Sequence, residues 1–314
     1  MGSHDRSILV FEWLTGGGCW CEGGDPVSQP GLLKQGRQML HCVVTDFLDA
    51  GFDVYSTIDS RVDLRLPNEP STIGRSDSLD QRLGELADEV DFIAVIAPET
   101  GGRLSNCLGW IQNHQNKWLN PDLAFTALAS DKNRMQDFLH SHGIPVPRGA
   151  RGDLWHKQLA SDEDAALIVK PVDGCGGQGN ELICERNLES TESTKFLTQE
   201  YRIEEFIEGV SVSVGLLSNG TGHQKILKPQ RQHFCPEPIG SFSHCTSDLT
   251  TDHVRRAFTL AEKLLPAIPT FRGYIGVDMI LGNRDVTVEI NPRVTVSYGA
   301  SESPAKWFAK NLDL

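Results

Sequence analysis

The segment "GVDMILGNRDVTVEINPR", residues 276–293, consists of two apolar stretches joined by a polar turn, and each stretch carries an acid. Strand side chains alternate between two faces, so Glu289 and Asn291 are neighbours on one face of the second strand. An antiparallel register follows if Asn283 and Arg284 form a two-residue turn. The facing pairs would then be Gly282 with Asp285, Ile280 with Thr287, and Asp278 with Glu289.

Two directly opposed acids need a partner of opposite charge. Their Cβ atoms would lie about 5 Å apart, where like charges repel. A divalent cation would remove this repulsion. Carboxylates with an amide oxygen suit Mg²⁺, which usually completes its shell with water and substrate phosphates, and Mn²⁺ could use the same ligands. The segment therefore predicts a metal and nucleotide site on Asp278, Glu289 and Asn291. The alternatives are a solvated acidic face or a longer turn that breaks the register.

Composition limits the function. The chain has 314 residues, enough for two or three domains. Its formal net charge of -13 argues against nucleic acid as a partner, because such binders need a basic face. No run of about 18 apolar residues and no signal-peptide pattern is present, which predicts a cytoplasmic protein without a membrane partner. The eight cysteines contain no C-x-x-C pair and suit a reducing cytosol.

The N-terminal third alternates strands and helices. Apolar stretches at 7–14, 52–58 and 92–98 predict strands, and helical spacing appears at 40–48 and 79–90. This alternation predicts a small parallel sheet, in which ligands bind at the carboxyl ends of strands. The loops "TGGGCWCEGG" and "PETGGRLSN" follow two of those strands. The first could equally be a flexible connector.

The pattern changes after residue 120. A helix over 133–142 ends at Gly143, and strands are predicted at "ALIVKPV", "FLTQEY", "SVSVGLL" and "HQKILKP". A long helix over 254–268 precedes the opening segment. The whole chain is therefore predicted to be α/β (α+β), with a parallel sheet at its N-terminal end.

A glycine-rich loop lies between two of these strands, in "LIVKPVDGCGGQGNELIC". Its glycines match G-x-G-x-x-G, but a strand rather than a helix follows, so a dinucleotide fingerprint is rejected. Such a hairpin loop can cover phosphates with its backbone N–H groups. Lys170 in the preceding apolar strand needs a negative partner, unless it reaches water at a strand edge. Lys132 lies at a helix start, where its positive charge opposes the helix dipole. This position is acceptable if Lys132 faces an anion, and the alternative is a solvated lysine.

Taken in order along the chain, these features resemble the ATP-grasp superfamily from about residue 122 to residue 298. The resemblance implies an ATP-grasp fold with an N-terminal parallel-sheet domain. The implied domains are a Rossmann-like pre-ATP-grasp domain over 1–120, a small subdomain with a glycine-rich flap over 121–203, and a C-terminal subdomain with the metal site over 204–314.

The resemblance also implies roles for individual residues. Lys132 and Lys170 match the lysines that hold the phosphates of ATP, and Arg293 matches the arginine that steadies the transferred phosphoryl group. Ser211 stands where many relatives have a ribose-binding acid, and Glu208 could replace it. The remaining implied residues are the flap Gly174, Gly176, Gly177, Gln178 and Gly179, the adenine-binding segment Glu204, Glu205, Phe206 and Ile207, and the metal ligands Asp278, Glu289 and Asn291.

The resemblance implies an ATP-dependent carboxylate-amine ligase that works through an acyl phosphate. The words "VFEWLTGGG", "IAPETGGRL", "SDKNRMQDFL" and "EINPRVTVSYGA" look like ligases related to the tyramine:glutamate ligase group of methanofuran biosynthesis. Its partners would be a small carboxylate, with glutamate as the first candidate, and a small amine. A homodimer is expected only from its frequency among soluble enzymes. A non-catalytic ATP-binding module and a biotin-carboxylase-like enzyme remain alternatives.

Residues for the substrate itself are harder to assign. Lys228 and Arg231 in "LKPQRQHF" could bind a substrate carboxylate, because arginine offers a bidentate fork, or could be surface charges. His233 and His244 flank "FCPEPIGSFSH", which could be a lid over the amine or an ordinary loop. These alternatives stay open on sequence alone.

Overall fold

The computed structural model describes residues 6–157, 165–188, 193–235, 241–299 and 302–312. The N-terminal part contains four parallel strands in the order β3-β2-β1-β4, which confirms the predicted parallel sheet. Its strands are β1 (Ser7–Glu12), β2 (Asp53–Asp59), β3 (Ser71–Ile73) and β4 (Phe92–Ile96). Its helices are α1 (Gly18–Cys21), α2 (Pro30–Asp49), α3 (Leu79–Glu89) and α4 (Arg103–Trp110). No helix among the described residues is long and apolar enough to cross a membrane.

The glycine run after β1 is a packed turn and not a loose connector. Residues 13–18 are buried, and Thr57 donates its hydroxyl to the carbonyl of Gly16 at 2.8 Å. A Cβ on Gly18 would lie 2.2 Å from Cδ2 of Trp13. The three glycines therefore allow the chain to turn tightly against its own strand at the carboxyl edge of the sheet.

A second, smaller sheet is antiparallel and has its own core. Its strands are β5 (Gly149–Arg151), β6 (Ala166–Pro171), β7 (Glu181–Cys184) and β8 (Tyr201–Glu205), in the order β5-β8-β6-β7. Helices α5 (Leu123–Ala129) and α6 (Lys132–Ser141) precede it. The core side chains include Trp155, Val169, Phe196 and Ile203.

The strand predicted at "FLTQEY" is wrong for most of its length. Phe196 lies in a 3₁₀ turn, and β8 begins only at Tyr201. The rings of Phe196 and Tyr201 pack edge to face, 5.2 Å apart, so the chain between them folds back instead of extending. As a result Glu204 and Glu205 end a strand, and the predicted domain boundary at 203/204 falls within β8. The domain limits themselves stay predictions.

The third sheet is antiparallel and carries the segment quoted first. Its strand order is β12-β11-β9-β13-β14, with β10 also paired to β9. The strands are β9 (Gly209–Asn219), β10 (Gln224–Ile226), β11 (Gln230–Cys235), β12 (Ser241–Thr246), β13 (Arg272–Gly282) and β14 (Asp285–Asn291). Helix α7 (Thr251–Leu264) covers one face, and α8 (Pro304–Asn311) follows the last strand.

The register of the β13–β14 hairpin is partly as predicted. Asp278 does face Glu289, but Leu281 faces Asp285 and Ile280 faces Val286. The turn is therefore one residue longer than expected. An irregularity after Asp278 leaves Val288 unpaired and restores the predicted pairing of the two acids.

The N-terminal sheet and the third sheet share one core. Phe92 of β4, Leu217 of β9 and Tyr274 of β13 belong to the same cluster of buried side chains. The helix α8 joins this cluster, since Phe308 stacks on Phe47 of α2 with ring centroids 6.3 Å apart. These two parts of the chain are thus held together as one packed unit.

The contact between these parts depends on a glycine. Gly273 has φ +98, and a Cβ there would lie 1.9 Å from the carbonyl oxygen of Leu119. We expect Gly273→Ala to lower the free energy of unfolding by about 4 kcal/mol or more, because backbone strain adds to a backbone clash. Urea unfolding would measure this.

The matched control is Gly143→Ala. Gly143 has φ +71 with nothing within 4 Å of a built Cβ, so this variant should show the strain alone, about 1–2 kcal/mol. Equal losses for the two variants would contradict the proposed clash at Leu119.

Candidate functional site

A cavity of about 360 Å³ lies between the second and third sheets. It brings together most of the predicted site residues, although they span more than 160 positions of the chain. Its lining includes the apolar side chains of Pro147, Ile168 and Ile280, together with Gln35 and Met39 of α2. The predicted residues that line it are Lys132, Lys170, Gly174, Gly176, Gly177, Glu204, Glu205, Phe206, Ile207, Asp278, Glu289, Asn291 and Arg293.

Of the two facing acids, Asp278 lies in an environment that disfavours its ionised form. Burial, and then the charge of Glu289, raise the pKa of Asp278 from 3.8 to about 6. Asp278 accepts hydrogen bonds from Gln232 Nε2 at 3.0 Å and from Asn291 Nδ2 at 3.2 Å. These donors stabilise the ionised form only in part, so a further positive charge would be bound favourably here.

The donor set fits a hard divalent cation. Two carboxylates and the amide oxygen of Asn291 are oxygen ligands, which Mg²⁺ prefers. No group of three or more His, Cys, Asp or Glu side chains in the described parts of the chain could hold a metal by itself. A cation bound at Asp278 and Glu289 would therefore need additional oxygens from water or from phosphates.

Lys132 faces an anion rather than solvent. Its Nζ lies 2.9 Å from Oε1 of Glu289 and donates to the carbonyl of Gly174. Burial would lower the pKa of Lys132, but the carboxylates of Glu289 and Glu99 outweigh it and raise that pKa. Asp131 caps the helix that begins at Lys132, since its side chain accepts from Arg134 N. The lysine is thus fixed at the edge of the cavity.

Lys170 has the negative partner that its burial requires. Its Nζ lies 2.5 Å from Oε2 of Glu204, and Arg202 Nε donates to the other oxygen at 2.7 Å. Burial would raise the pKa of Glu204, but Lys170 and Arg202 lower it overall. The carboxylate of Glu205 is likewise engaged, by Arg148 and Arg284. In the predicted adenine segment, both acids therefore already have cationic partners.

The predicted flap is connected to both neighbouring parts of the molecule. Gly176, Gly177 and Gly179 all have positive φ, as a tight phosphate-covering loop requires. Asp173 Oδ2 accepts from Gly101 N at 2.8 Å, which joins the flap to the loop after β4. On its other side, Gly176 O accepts from Phe242 N of β12 at 3.4 Å.

Glu99 pairs with Arg293, the predicted catalytic arginine, and was not predicted as a site residue from the sequence. Arg293 Nη2 donates to Glu99 Oε2 at 2.9 Å, and both side chains are almost fully buried. Glu99 belongs to the loop "PETGGRLSN" after β4. Ligands bind at the carboxyl ends of parallel strands, so the sequence indicated this loop but not which of its residues would take part. Gln232 was also missed. Its bond to Asp278 depends on strand pairings that the sequence does not reveal.

Five of the predicted site residues do not line the cavity, whereas Ser211 does. Side chains alternate between the two faces of β11, so Arg231 points to the opposite face from Gln232. Its Nη1 lies 3.5 Å from Oδ2 of Asp248. Lys228 and Glu208 are exposed. Those five residues are Gln178, Gly179, Glu208, Lys228 and Arg231.

The hairpin predicted as a lid is described only in part. His233 and His244 face each other across β11 and β12, and their rings stack 4.5 Å apart. Phe234 and Phe242 of the same hairpin line the cavity. The tip, residues 236–240, lies outside the described residues, so the lid stays a prediction.

Comparisons with known proteins bear on the family and the fold. A family model described as ATP-grasp domain matches residues 129–297, and one described as pre ATP-grasp 3 domain matches residues 52–124. The chain is similar to tyramine–L-glutamate ligase of Methanocaldococcus jannaschii, at 23% identity over 95% of this chain and 86% of the relative. The ligase of the same name in Methanocaldococcus fervens is 24% identical over 95% of this chain and 90% of its own.

A solved structure shares the fold. A protein of the ATP-grasp superfamily from Archaeoglobus fulgidus superposes with a TM-score of 0.74 at 18% sequence identity. The match covers 98% of this chain and 89% of that chain. At this identity the likeness concerns the fold alone.

Replacing one of the facing acids tests the electrostatics of the site. Because the pKa of Asp278 is raised from 3.8 to about 6, its ionised form opposes folding above that range, and the penalty disappears below about pH 4. In metal-free protein we expect Asp278→Asn to raise the free energy of unfolding by roughly 1–3 kcal/mol at pH 8. The gain should shrink as pH falls from 6 to 4, as measured by urea unfolding in EDTA.

Asp285→Asn is the matched control on the same hairpin. Asp285 pairs with Arg256, whose Nε donates to it at 3.0 Å, so this variant should lose stability. A loss of stability for Asp278→Asn at pH 8 as well would show that the facing acids are not in electrostatic conflict.

Proposed function

The chain belongs to the ATP-grasp family, and on that basis we propose that it is an ATP-dependent ligase that joins a carboxylate to an amine. The observation that carries the proposal is the convergence of Lys132, Lys170, Arg293 and the facing acids on one cavity. These residues come from α6, β6, the hairpin of the third sheet and the segment after it. Buried charges are costly even when they are paired, and titratable groups that cluster in one cavity are typical of a functional site.

The proposed reaction has two steps. A substrate carboxylate attacks the γ-phosphorus of ATP, which forms an acyl phosphate and releases ADP. The neutral nitrogen of an amine then attacks the acyl carbon, the C–N bond forms, and phosphate leaves with the electron pair of the broken C–O bond. The nitrogen releases one proton, which phosphate or solvent takes up. No side-chain nucleophile is needed, so catalysis rests on positioning and electrostatics.

Each charged residue would have a defined task in this scheme. Lys132 and Lys170, now paired with Glu289 and Glu204, would turn toward the phosphates. The flap glycines would cover those phosphates with backbone N–H groups. Arg293 would offset the negative charge on the transferred phosphoryl group. Mg²⁺ held by Asp278, Glu289 and Asn291 would supply charge neutralisation at the phosphate oxygens.

For the substrates we propose glutamate or a similar amino acid as the carboxylate, and an aromatic amine such as tyramine as the acceptor. The support is the similarity to two tyramine–L-glutamate ligases along 95% of this chain. Phe234, Phe242 and Met39 also give the cavity apolar walls near α2 and the β11–β12 hairpin.

Replacing Glu289 by glutamine tests the ligase proposal. The variant keeps the size of the side chain and loses the charge that would hold the metal. We expect Mg²⁺-dependent ADP release with glutamate and tyramine to fall about 100-fold or more, because metal charge stabilisation is worth several kcal/mol. Circular dichroism should show an unchanged fold.

The control is Glu262→Gln, an exposed acid on α7, which should retain full turnover. Unchanged turnover of Glu289→Gln would exclude the proposed metal site. Nucleotide binding by the wild type without turnover, over a screen of acid and amine pairs, would favour a non-catalytic module. ATP hydrolysis stimulated by bicarbonate would favour a carboxylase.

A further inference from the structure

Glu99 has one carboxylate oxygen in use and one without a partner. The side chain is only 5% exposed, and its Oε2 is held by Arg293 at 2.9 Å. Its Oε1 is buried and receives no hydrogen bond from the residues that the structure describes. An unsatisfied buried carboxylate oxygen is costly, so a hydrogen-bond donor from water or from a ligand is expected at this oxygen.

The topology of the N-terminal sheet places Glu99 where a ligand is expected. The chain runs from β1 to β2 and β3 on one side, and then returns to β4 on the other side of β1. The switch in direction therefore lies between β1 and β4, and ligands of such sheets bind in the crevice at the carboxyl ends of those two strands. Glu99 follows β4 by three residues.

A second acid ends β1 at the same crevice but has its own partners. Glu12 Oε2 accepts from the backbone N and the hydroxyl of Thr15, at 2.8 and 2.6 Å. A Cβ on Gly36 would lie 2.6 Å from that oxygen, so α2 packs directly on the carboxylate. Glu12 thus secures the loop after β1, and Glu99 is the acid with free bonding capacity.

Glu99 lines a cleft that is separate from the nucleotide cavity. The cleft has a volume of about 630 Å³ and runs between the loop after β4, the start of α6 and the ends of β6 and β8. Its charged lining consists of Glu99, Asp131, Asp173, Glu200 and Arg134, four acids against one base. A cleft lined mainly by one sign of charge concentrates ligands of the opposite sign.

We infer that Glu99 binds the primary ammonium group of a substrate, and that the acidic cleft admits that substrate. The ammonium would donate to Oε1 while Oε2 keeps Arg293 beside the reacting atoms. This inference rests on the proposed ligase function and deepens it. Two sources of the ammonium fit the chemistry: the acceptor amine, which would give up one proton to solvent before its nitrogen attacks, and the α-ammonium of an amino-acid substrate.

Glu99→Gln is the first test, because glutamine keeps the shape and removes the charge. We expect the KM for the ammonium-bearing substrate to rise about tenfold to 100-fold, as for loss of a hydrogen bond to a charged group. The KM for ATP should stay within about twofold. A role limited to positioning Arg293 would instead lower kcat with every substrate pair and leave those KM values unchanged, and that result would overturn the inference.

Two arms identify the source of the ammonium. With glutamate saturating, a raised KM for tyramine assigns Glu99 to the acceptor amine. In the second arm no amine is added, and hydroxylamine traps the acyl phosphate. The rate of trapping with glutamate is compared with the rate with glutarate, which lacks the α-ammonium. Loss of the preference for glutamate in Glu99→Gln assigns the residue to the amino acid. No change in either arm contradicts the inference.

A second variant covers the case in which Glu99→Gln does not fold. Glu200 is exposed at the cleft, so Glu200→Lys should lower kcat/KM for the cationic substrate at low salt, and the effect should fade as salt screens the charge. Glu262→Lys, on α7 and outside the cleft lining, is the matched control and should show no such effect. Equal salt profiles for both lysine variants would contradict the role of the cleft.

Binding measurements separate this inference from the ligase proposal. If the wild type releases no ADP with any substrate pair, the ligase proposal fails. Calorimetry with tyramine and with glutamate, in the presence of Mg²⁺ and ADP, then tests the ammonium site without turnover. Heat of binding that is present in the wild type and lost in Glu99→Gln supports the site, and equal heats or no binding reject it.

Discussion

The facing carboxylates of Asp278 and Glu289 are the constraint around which the site is arranged. Both lie on one cavity-facing surface of the β13–β14 hairpin, and their mutual repulsion contributes to the raised pKa of Asp278. Lys132 reaches Glu289 from another element, and Gln232 donates to Asp278 from β11. The surrounding structure therefore reduces the repulsion without abolishing it, which leaves a site that favours added positive charge.

A second group of charges lies in the smaller sheet, on the other side of the cavity from the hairpin. Lys170, Arg202 and Glu204 form a buried group in the smaller sheet, with one carboxylate shared by two cations. Within this group two cations outnumber one carboxylate, and Lys170 is the cation of the two that lines the cavity, whereas the hairpin opposite presents two acids. A ligand that carries both phosphates and a divalent cation matches these two surfaces together.

Local patterns made the fold and the hairpin predictable, whereas the partners of the site were not. The pairing of Asp278 with Glu289 was predicted correctly, although the observed turn is one residue longer than the predicted one. Val288 has no partner in the opposite strand, and this extra residue compensates for the longer turn. Gln232 and Glu99 were missed because their partners lie 46 and 194 positions away along the chain. Strand alternation did explain why Arg231 and Gln232 point in opposite directions, once the pairing of β11 with β9 and β12 was known.

The separate core of the smaller sheet determines which part of the molecule can move. The N-terminal sheet, the third sheet and α8 share buried side chains, so sliding between them would disrupt a common interior. The β5–β8 sheet has a core of its own, and its links to the rest include Cys175 of the flap, which packs in the N-terminal core, and hydrogen bonds at the flap and at Lys132. Rotation of this sheet as a rigid body is therefore the least costly way to open the cavity while Arg293 and the facing acids stay in place.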